Sequence, residues 1–166
     1  LWGLDFPYMR RYTKQQLERN PELKGKDLER TQKSCAHFRH HPVTIINFIE
    51  GTRFTLAKHA QQSSPYRHLL MPKAGGMAFT LSAMNGQLHQ MLDVTICYPE
   101  GIPRYWDYAC GNVKTIRVHL RQLSIGAELL GNYGEDQSYR NYFQRWVNQL
   151  WFDKDERLAQ MQRDTD

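Results

Sequence analysis

The chain has 166 residues, of which 40% are hydrophobic, 12% aromatic and 23% charged, with a formal net charge of +5. That length supports one well-buried core, and no apolar run approaches the ~18 residues needed to cross a bilayer as a helix. Three cysteines, Cys35, Cys97 and Cys110, share no C-x-x-C spacing, which argues against a disulfide scaffold or zinc knuckle and favours a reducing, cytoplasm-facing location. The basic surplus favours an anionic partner, although extra Lys and Arg also serve plain solubility.

In chain order, Phe6 to Met9 reads as a short strand closed by Arg10 and Arg11. Thr13 to Asn20 reads as a helix that Pro21 interrupts. Asp27 to Arg39 is a stronger helix, with Leu28, Thr31, Cys35 and Phe38 at helical spacing and Pro42 just beyond. Val43 to Ile49 is β-branched and apolar on both parities, which predicts a strand covered on both faces, as in a parallel sheet. Phe54 to His68 lacks periodicity and carries Ser63, Ser64 and Pro65, so it is expected to be a loop.

Ala74 to Met84 is expected as a helix opening at Gly75-Gly76. Leu92 to Tyr98 reads as a second buried strand, ended by Pro99 and Gly101. Val113 to Leu120 alternates as a third, with Val113, Thr115, Arg117 and His119 on one side and Ile116, Val118 and Leu120 on the other. Tyr139, Tyr142, Phe143, Trp146, Val147 and Leu150 then form one helical stripe, with charged residues taking over from Asp153. The alternation of strands and helices predicts a single α/β domain over 1–166: a mixed, largely parallel sheet with helices on its faces.

The run "EGTR", Glu50 to Arg53, closes the Val43 to Ile49 segment with groups that suit an anion. Gly51 lets the backbone turn and approach a ligand, and Thr52 offers a hydroxyl donor. Arg53 offers a planar fork that matches phosphate oxygens two at a time. Glu50 either holds that fork or accepts from a ligand hydroxyl. The same four residues equally suit a plain strand-end turn with an internal Glu50–Arg53 ion pair.

"FIEGTR", Phe48 to Arg53, resembles the F-P-E-G-T-R block of the glycerolipid (lysophosphatidic acid) acyltransferase superfamily, with Ile49 in place of the usual proline. "EGTRFTLAKH" is closer still to the branch holding animal lysophosphatidic and lysocardiolipin acyltransferases and a group of bacterial inner-membrane proteins. "LDFPYMRRY" resembles the second block, a strand ending in a basic residue, which places Arg10 there. "LLMPKAGGMAFTL", "LDVTICYP" and "WVNQLWFDKDERL" resemble later segments of the branch, the last its W-L-x-x-L-[YW]-x-x-K-D helix. The resemblance covers nearly the whole chain, block after block in order.

The resemblance implies an acyltransferase of phospholipid biosynthesis or remodelling, membrane-associated on a cytoplasmic face, as at a bacterial inner membrane. Its acceptor would be a lysophospholipid such as 1-acyl-glycerol-3-phosphate. The donor would be an acyl thioester of CoA or acyl carrier protein; no other cofactor is implied. The acceptor's phosphate would be held by Glu50, Gly51, Thr52 and Arg53, with Arg10 from the neighbouring strand end and Lys73 as a further cation.

One family element is missing. The catalytic H-x-x-x-x-D pairs a His general base with an orienting Asp. None of the seven histidines has an Asp five residues on. "HQMLD", His89 to Asp93, is one residue short and lies in the wrong order. The family places this block ahead of the second one, and the chain opens without Met on "LWGLDFPYMRRY", in mid-element. The expectation is therefore a soluble C-terminal portion of the acyltransferase domain. It would keep much of the acceptor site but lack the catalytic pair and any membrane anchor, and would be inactive alone.

Three other readings compete. "CAHFRHH" puts Cys35, His37, His40 and His41 close together, with His37 and His41 on one helical face, but no second cluster completes a tetrahedral metal site, so no metal is expected. A basic nucleic-acid module is disfavoured because Lys and Arg are scattered rather than striped, and no nucleic-acid partner is expected. A non-catalytic acyltransferase-like domain shares every feature above.

Overall fold

A computed structural model describes residues 44–163. The helices and strands expected ahead of residue 44, together with Arg10, Cys35, His37 and His41, lie outside the described residues. The described elements are α1 (Leu56–Gln62), α2 (Ala74–Met84), β1 (Gln90–Cys97), α3 (Tyr105–Ala109), β2 (Arg117–Ser124), a 3-10 turn (Ala127–Leu129) and α4 (Gln137–Arg163). They fall into two compact units.

One unit contains Ala74–His89 and Ile125–Phe143. In α2, Ala74, Met77, Ala78, Leu81, Ala83 and Met84 are all buried, which explains a sequence so poor in charge. Asn85 and Gly86 end the helix at positive φ (45° and 79°), the left-handed stop that releases its last carbonyls. The Ser82 hydroxyl donates to the Gly131 carbonyl at 2.7 Å. Phe143, fully buried, lies between the rings of Tyr133 and Tyr139, at centroid distances of 6.0 and 5.8 Å. Burying one such ring contributes roughly 2–3 kcal/mol. The Tyr139 hydroxyl donates to the Leu129 carbonyl at 2.7 Å, so the ring's polar end is also satisfied.

The other unit contains Glu50–Lys73, Gln90–Ser124 and the later part of α4. β1 and β2 are antiparallel, with Asp93 opposite Arg121, Thr95 opposite His119 and Cys97 opposite Arg117. These odd-numbered residues form the covered face. Lys154 reaches up from α4 to Asp93 Oδ1 at 2.5 Å, and also donates to the Val94 carbonyl and Thr95 Oγ1 at 2.8 and 3.1 Å. Arg121 spans Asp93 (3.1 Å) and Asp153 (2.9 Å). Arg117 donates to the Met161 carbonyl at 2.6 Å. Cys97, Leu158, Met161 and Leu69 supply the apolar contact beneath. A buried ion pair is tolerated only when such bonds replace its water.

The described residues mix helix and strand, and their sheet is one antiparallel pair; a largely parallel sheet is not shown among them. Other expectations are corrected. Residues 44–48 form no strand, and Phe48 is 83% exposed; among the described residues no strand pairs with this run. The loop expected over Phe54 to His68 contains α1, which buries no residue and so left no periodicity to read. Its start is chemical instead: Thr55 Oγ1 caps the Lys58 N–H at 3.2 Å. Finally, the third strand begins four residues later than the alternation suggested, and β1 is covered on one face only.

Candidate functional site

The chain turns at residues 49–50 and bends again at Thr52. Gly51 adopts φ +68°, a conformation that disfavours any side chain. Lys73 lies over it: both Cδ and Nζ come within 3.6 Å of where a Cβ at Gly51 would stand. The structure thus brings Lys73, twenty-two residues away, onto the one peptide that has no side chain to shield it.

Glu50 points inward. Its Oε1 accepts the Leu70 N–H at 3.1 Å, while the Leu70 carbonyl accepts from Trp151 Nε1 at 3.1 Å. Both backbone groups of a fully buried residue are therefore satisfied, one by Glu50 and one by α4. Burial raises the Glu50 pKa above the usual carboxylate value, and the Leu70 N–H, Trp151 and Lys154 partly offset that rise. No Glu50–Arg53 ion pair forms among the described residues, so the plain internal-pair reading of "EGTR" does not hold. Neither sequence-based role for Glu50 matches this geometry; the carboxylate anchors the turn to the segment leading to Lys73.

Thr52 and Arg53 are exposed. Thr52 Oγ1 accepts from Lys58 Nζ at 2.6 Å, and the same ammonium donates to the Arg53 carbonyl at 3.2 Å. The hydroxyl's own proton is left to donate outward. The Arg53 guanidinium makes no side-chain hydrogen bond among the described residues. Lys58 is a member of this group that the sequence reading missed. Its signal was the Thr55 cap: once α1 starts there, Lys58 sits one turn in, facing back over residues 52 and 53.

Two cationic side chains, Lys58 and Lys73, thus lie at Thr52 and Gly51, the exposed Arg53 follows in the chain, and Glu50 is engaged elsewhere. That is the chemistry of a phosphate or sulfate site. A second polar region, a cleft of about 170 Å³ lined by Asp93, His119, Arg121, Lys154 and Arg157 among others, differs in kind. Four of its charged groups, Asp93, Arg121, Asp153 and Lys154, already pair with one another. Asp93, the acid of "HQMLD", is held by Lys154 and Arg121. No group of three or more His, Cys, Asp or Glu suited to a metal occurs among the described residues.

Two curated proteins are similar to the chain. Lysocardiolipin acyltransferase 1 of Danio rerio is 25% identical over 129 residues, covering 70% of this chain and 31% of its own length. The 2-acyl-1-lysophosphatidylinositol acyltransferase of Saccharomyces cerevisiae is 25% identical over 135 residues, covering 70% of this chain and 32% of its own. Both are named as acyltransferases of lysophospholipids, which supports the resemblance of this chain to the glycerolipid acyltransferase superfamily. It spans about a third of the length of these relatives. No family model matches it, and no solved structure gives a significant match.

Within this acyltransferase-type chain the "KD" of the last helix is structural. Lys154 fastens β1, and the two oxygens of Asp155 accept the Arg67 and His68 N–H groups at 2.8 Å each. Asp155 and Trp151 together hold residues 67–70 against α4, and Glu50 hangs from the same segment. The turn at residues 50–53 thus rests on α4 through residues 67–70.

Proposed function

We propose that this chain is the acceptor-binding portion of an acyltransferase of phospholipid biosynthesis or remodelling. The acceptor is a lysophospholipid such as 1-acyl-glycerol-3-phosphate, and the donor a thioester of CoA or acyl carrier protein. The observation that supports the reading is the placement of Lys73 over Gly51 and of Lys58 on the Thr52 hydroxyl and Arg53 carbonyl, with Glu50 turned inward and Arg53 exposed. Arg10 joins this set on the strength of its block alone. Charged hydrogen bonds to a phosphate contribute about 1.5–3 kcal/mol each, enough to fix the acceptor's pose.

In the transfer, the acceptor hydroxyl oxygen bonds to the thioester carbonyl carbon, the C–S bond breaks and the thiolate takes up a proton. The hydroxyl proton goes to a general base, which the H-x-x-x-x-D histidine supplies in the superfamily. These 166 residues contain no such pair, so the chain alone binds acceptor without turning it over. The parent acts at a membrane, on the cytoplasmic face, as in a bacterial inner membrane. The absent motif also favours a second reading, a non-catalytic acyltransferase-like domain; an H-x-x-x-x-D encoded ahead of Leu1 decides against it.

The test is calorimetric titration of the chain with glycerol 3-phosphate and with glycerol. Saturable binding of the phosphate ester alone, lost in Arg53→Ala, is the expected outcome. Equal binding of both, or an Arg53→Ala chain that binds as tightly as the parent, refutes the site.

A further inference from the structure

α1 buries no residue, so apolar packing does not fix its place. Polar side chains do so instead. Lys58 Nζ donates to Thr52 Oγ1 at 2.6 Å and to the Arg53 carbonyl at 3.2 Å. His59 Nε2 donates to the Tyr66 carbonyl at 2.6 Å. Gln62 Oε1 accepts the Met71 N–H at 3.0 Å, and just past the helix Ser64 Oγ donates to the Leu69 carbonyl at 2.8 Å. Lys58 and Gln62 are four residues apart and so share one face of the helix. That face reaches the 52–53 turn through Lys58 and the segment leading to Lys73 through Gln62.

Only Pro72 separates the residue that Gln62 holds from Lys73. Glu50 and Trp151 already hold Leu70, but their bonds do not set the direction the chain takes after it. Met71 precedes a proline and is confined to extended backbone, and Pro72 has its φ locked and is buried. Few soft torsions therefore remain between the Met71 N–H and the Lys73 backbone. The point at which Gln62 grips that N–H decides where the Lys73 stem starts, and Lys73 Cδ and Nζ end within 3.6 Å of a Cβ position at Gly51. Met71 itself is 38% exposed, so water can replace Gln62 on its N–H at little cost to folding. The bond adds little stability; what it supplies is geometry.

From this we infer that Gln62 is a positioning residue: it holds Lys73 over the Gly51 peptide and, through the helix face it shares with Lys58, sets the spacing of the two lysines. It acts through Lys73 and touches no ligand itself. The inference rests on residues 51–53 being a phosphate-ester site. α1 is then a bracket between two cations that stand far apart in the sequence. A phosphate that draws on both meets them at a preset separation, and less side-chain freedom is lost on binding than with two unrestrained lysines.

The experiment compares the full chain with Gln62→Met, which keeps the length of the side chain but has no oxygen, and Gln62→Glu, which restores the acceptor. In the ligand-free parent, proton NMR should show Overhauser contacts between the Lys73 side-chain methylenes and the Gly51 α protons. Gln62→Met should lose them and Gln62→Glu keep them, with thermal melts of both matching the parent. In a glycerol 3-phosphate titration, Gln62→Met should bind about fivefold more weakly. Added to Lys73→Ala it should cause no further loss, because its effect passes through Lys73. Gln62→Glu is left out of the titration, since its charge would itself repel the ester. Contacts that survive in Gln62→Met, a loss of equal size in the Lys73→Ala background, or a Gln62→Met chain that melts well below the parent overturns the proposal. The Overhauser readout needs no ligand. A parent that fails to bind the ester therefore refutes the phosphate site, while the placement of Lys73 by Gln62 is still decided.

Discussion

Replacing Glu50 with alanine removes a carboxylate that never faces the proposed ligand, yet two effects should follow. The Leu70 N–H, on a fully buried residue, loses its acceptor at 3.1 Å, and an unsatisfied buried donor costs about 1–3 kcal/mol. The 50–53 segment also loses its tie to residue 70, so phosphate-ester binding should weaken without any lost ligand contact. Glu50→Gln keeps an oxygen for the same N–H and should stay within about 0.5 kcal/mol of the parent at neutral pH. The pH dependence carries a definite sign. Burial raises the folded-state pKa of Glu50, so its contribution is whole below the ordinary carboxylate range and is lost as pH rises through the raised value. Glu50→Gln should therefore gain relative to the parent as pH rises above the ordinary carboxylate range. Urea unfolding followed by tryptophan fluorescence measures all three. A Gln variant as damaging as the Ala variant, or an Ala variant with no loss, would refute the anchoring role.

Other outcomes follow from the same contacts. Lys154→Ala leaves Asp93 with Arg121 as its remaining ion-pair partner and should cost about 3 kcal/mol in urea unfolding, whereas Asp93→Asn combined with Lys154→Met should recover most of it. For Asp153, burial alone would raise the pKa, but the Arg121 and Gln149 bonds outweigh it and bring it down. Its contribution is therefore present above the ordinary carboxylate pKa and lost as pH falls through the lowered value; the stability of Asp153→Asn should fall less steeply in acid than the parent's. Lys58→Ala should weaken glycerol 3-phosphate binding roughly fivefold, about 1 kcal/mol, by releasing the Thr52 hydroxyl. Calorimetry showing unchanged or tighter binding would count against Lys58.

Where apolar periodicity governed structure, the sequence was readable. The helix expected over Ala74 to Met84 forms with those limits, and the stripe of the last helix does place Phe143, Val147 and Leu150 in buried positions. Reading failed where polar contacts did the organising. Charged residues do take over from Asp153, yet Lys154 and Asp155 are buried because each finds fixed partners across the unit. The alternation in Ile116, Val118 and Leu120 was correctly seen, but its apolar side is the open one, since the charged side is what α4 covers. At the candidate site, the residue types of 50–53 were legible. The inward turn of Glu50 and the arrival of Lys58 and Lys73 depend on backbone hydrogen bonds that no spacing encodes.

Whether a phosphate sits over residues 51–53 is answered most directly by backbone amide NMR of the chain during a glycerol 3-phosphate titration. Saturable shifts confined to Gly51, Thr52, Arg53 and the neighbouring Lys58 and Lys73 are the expected result. Shifts centred on the Asp93–Arg121 cleft, or none at saturating ester, would contradict it.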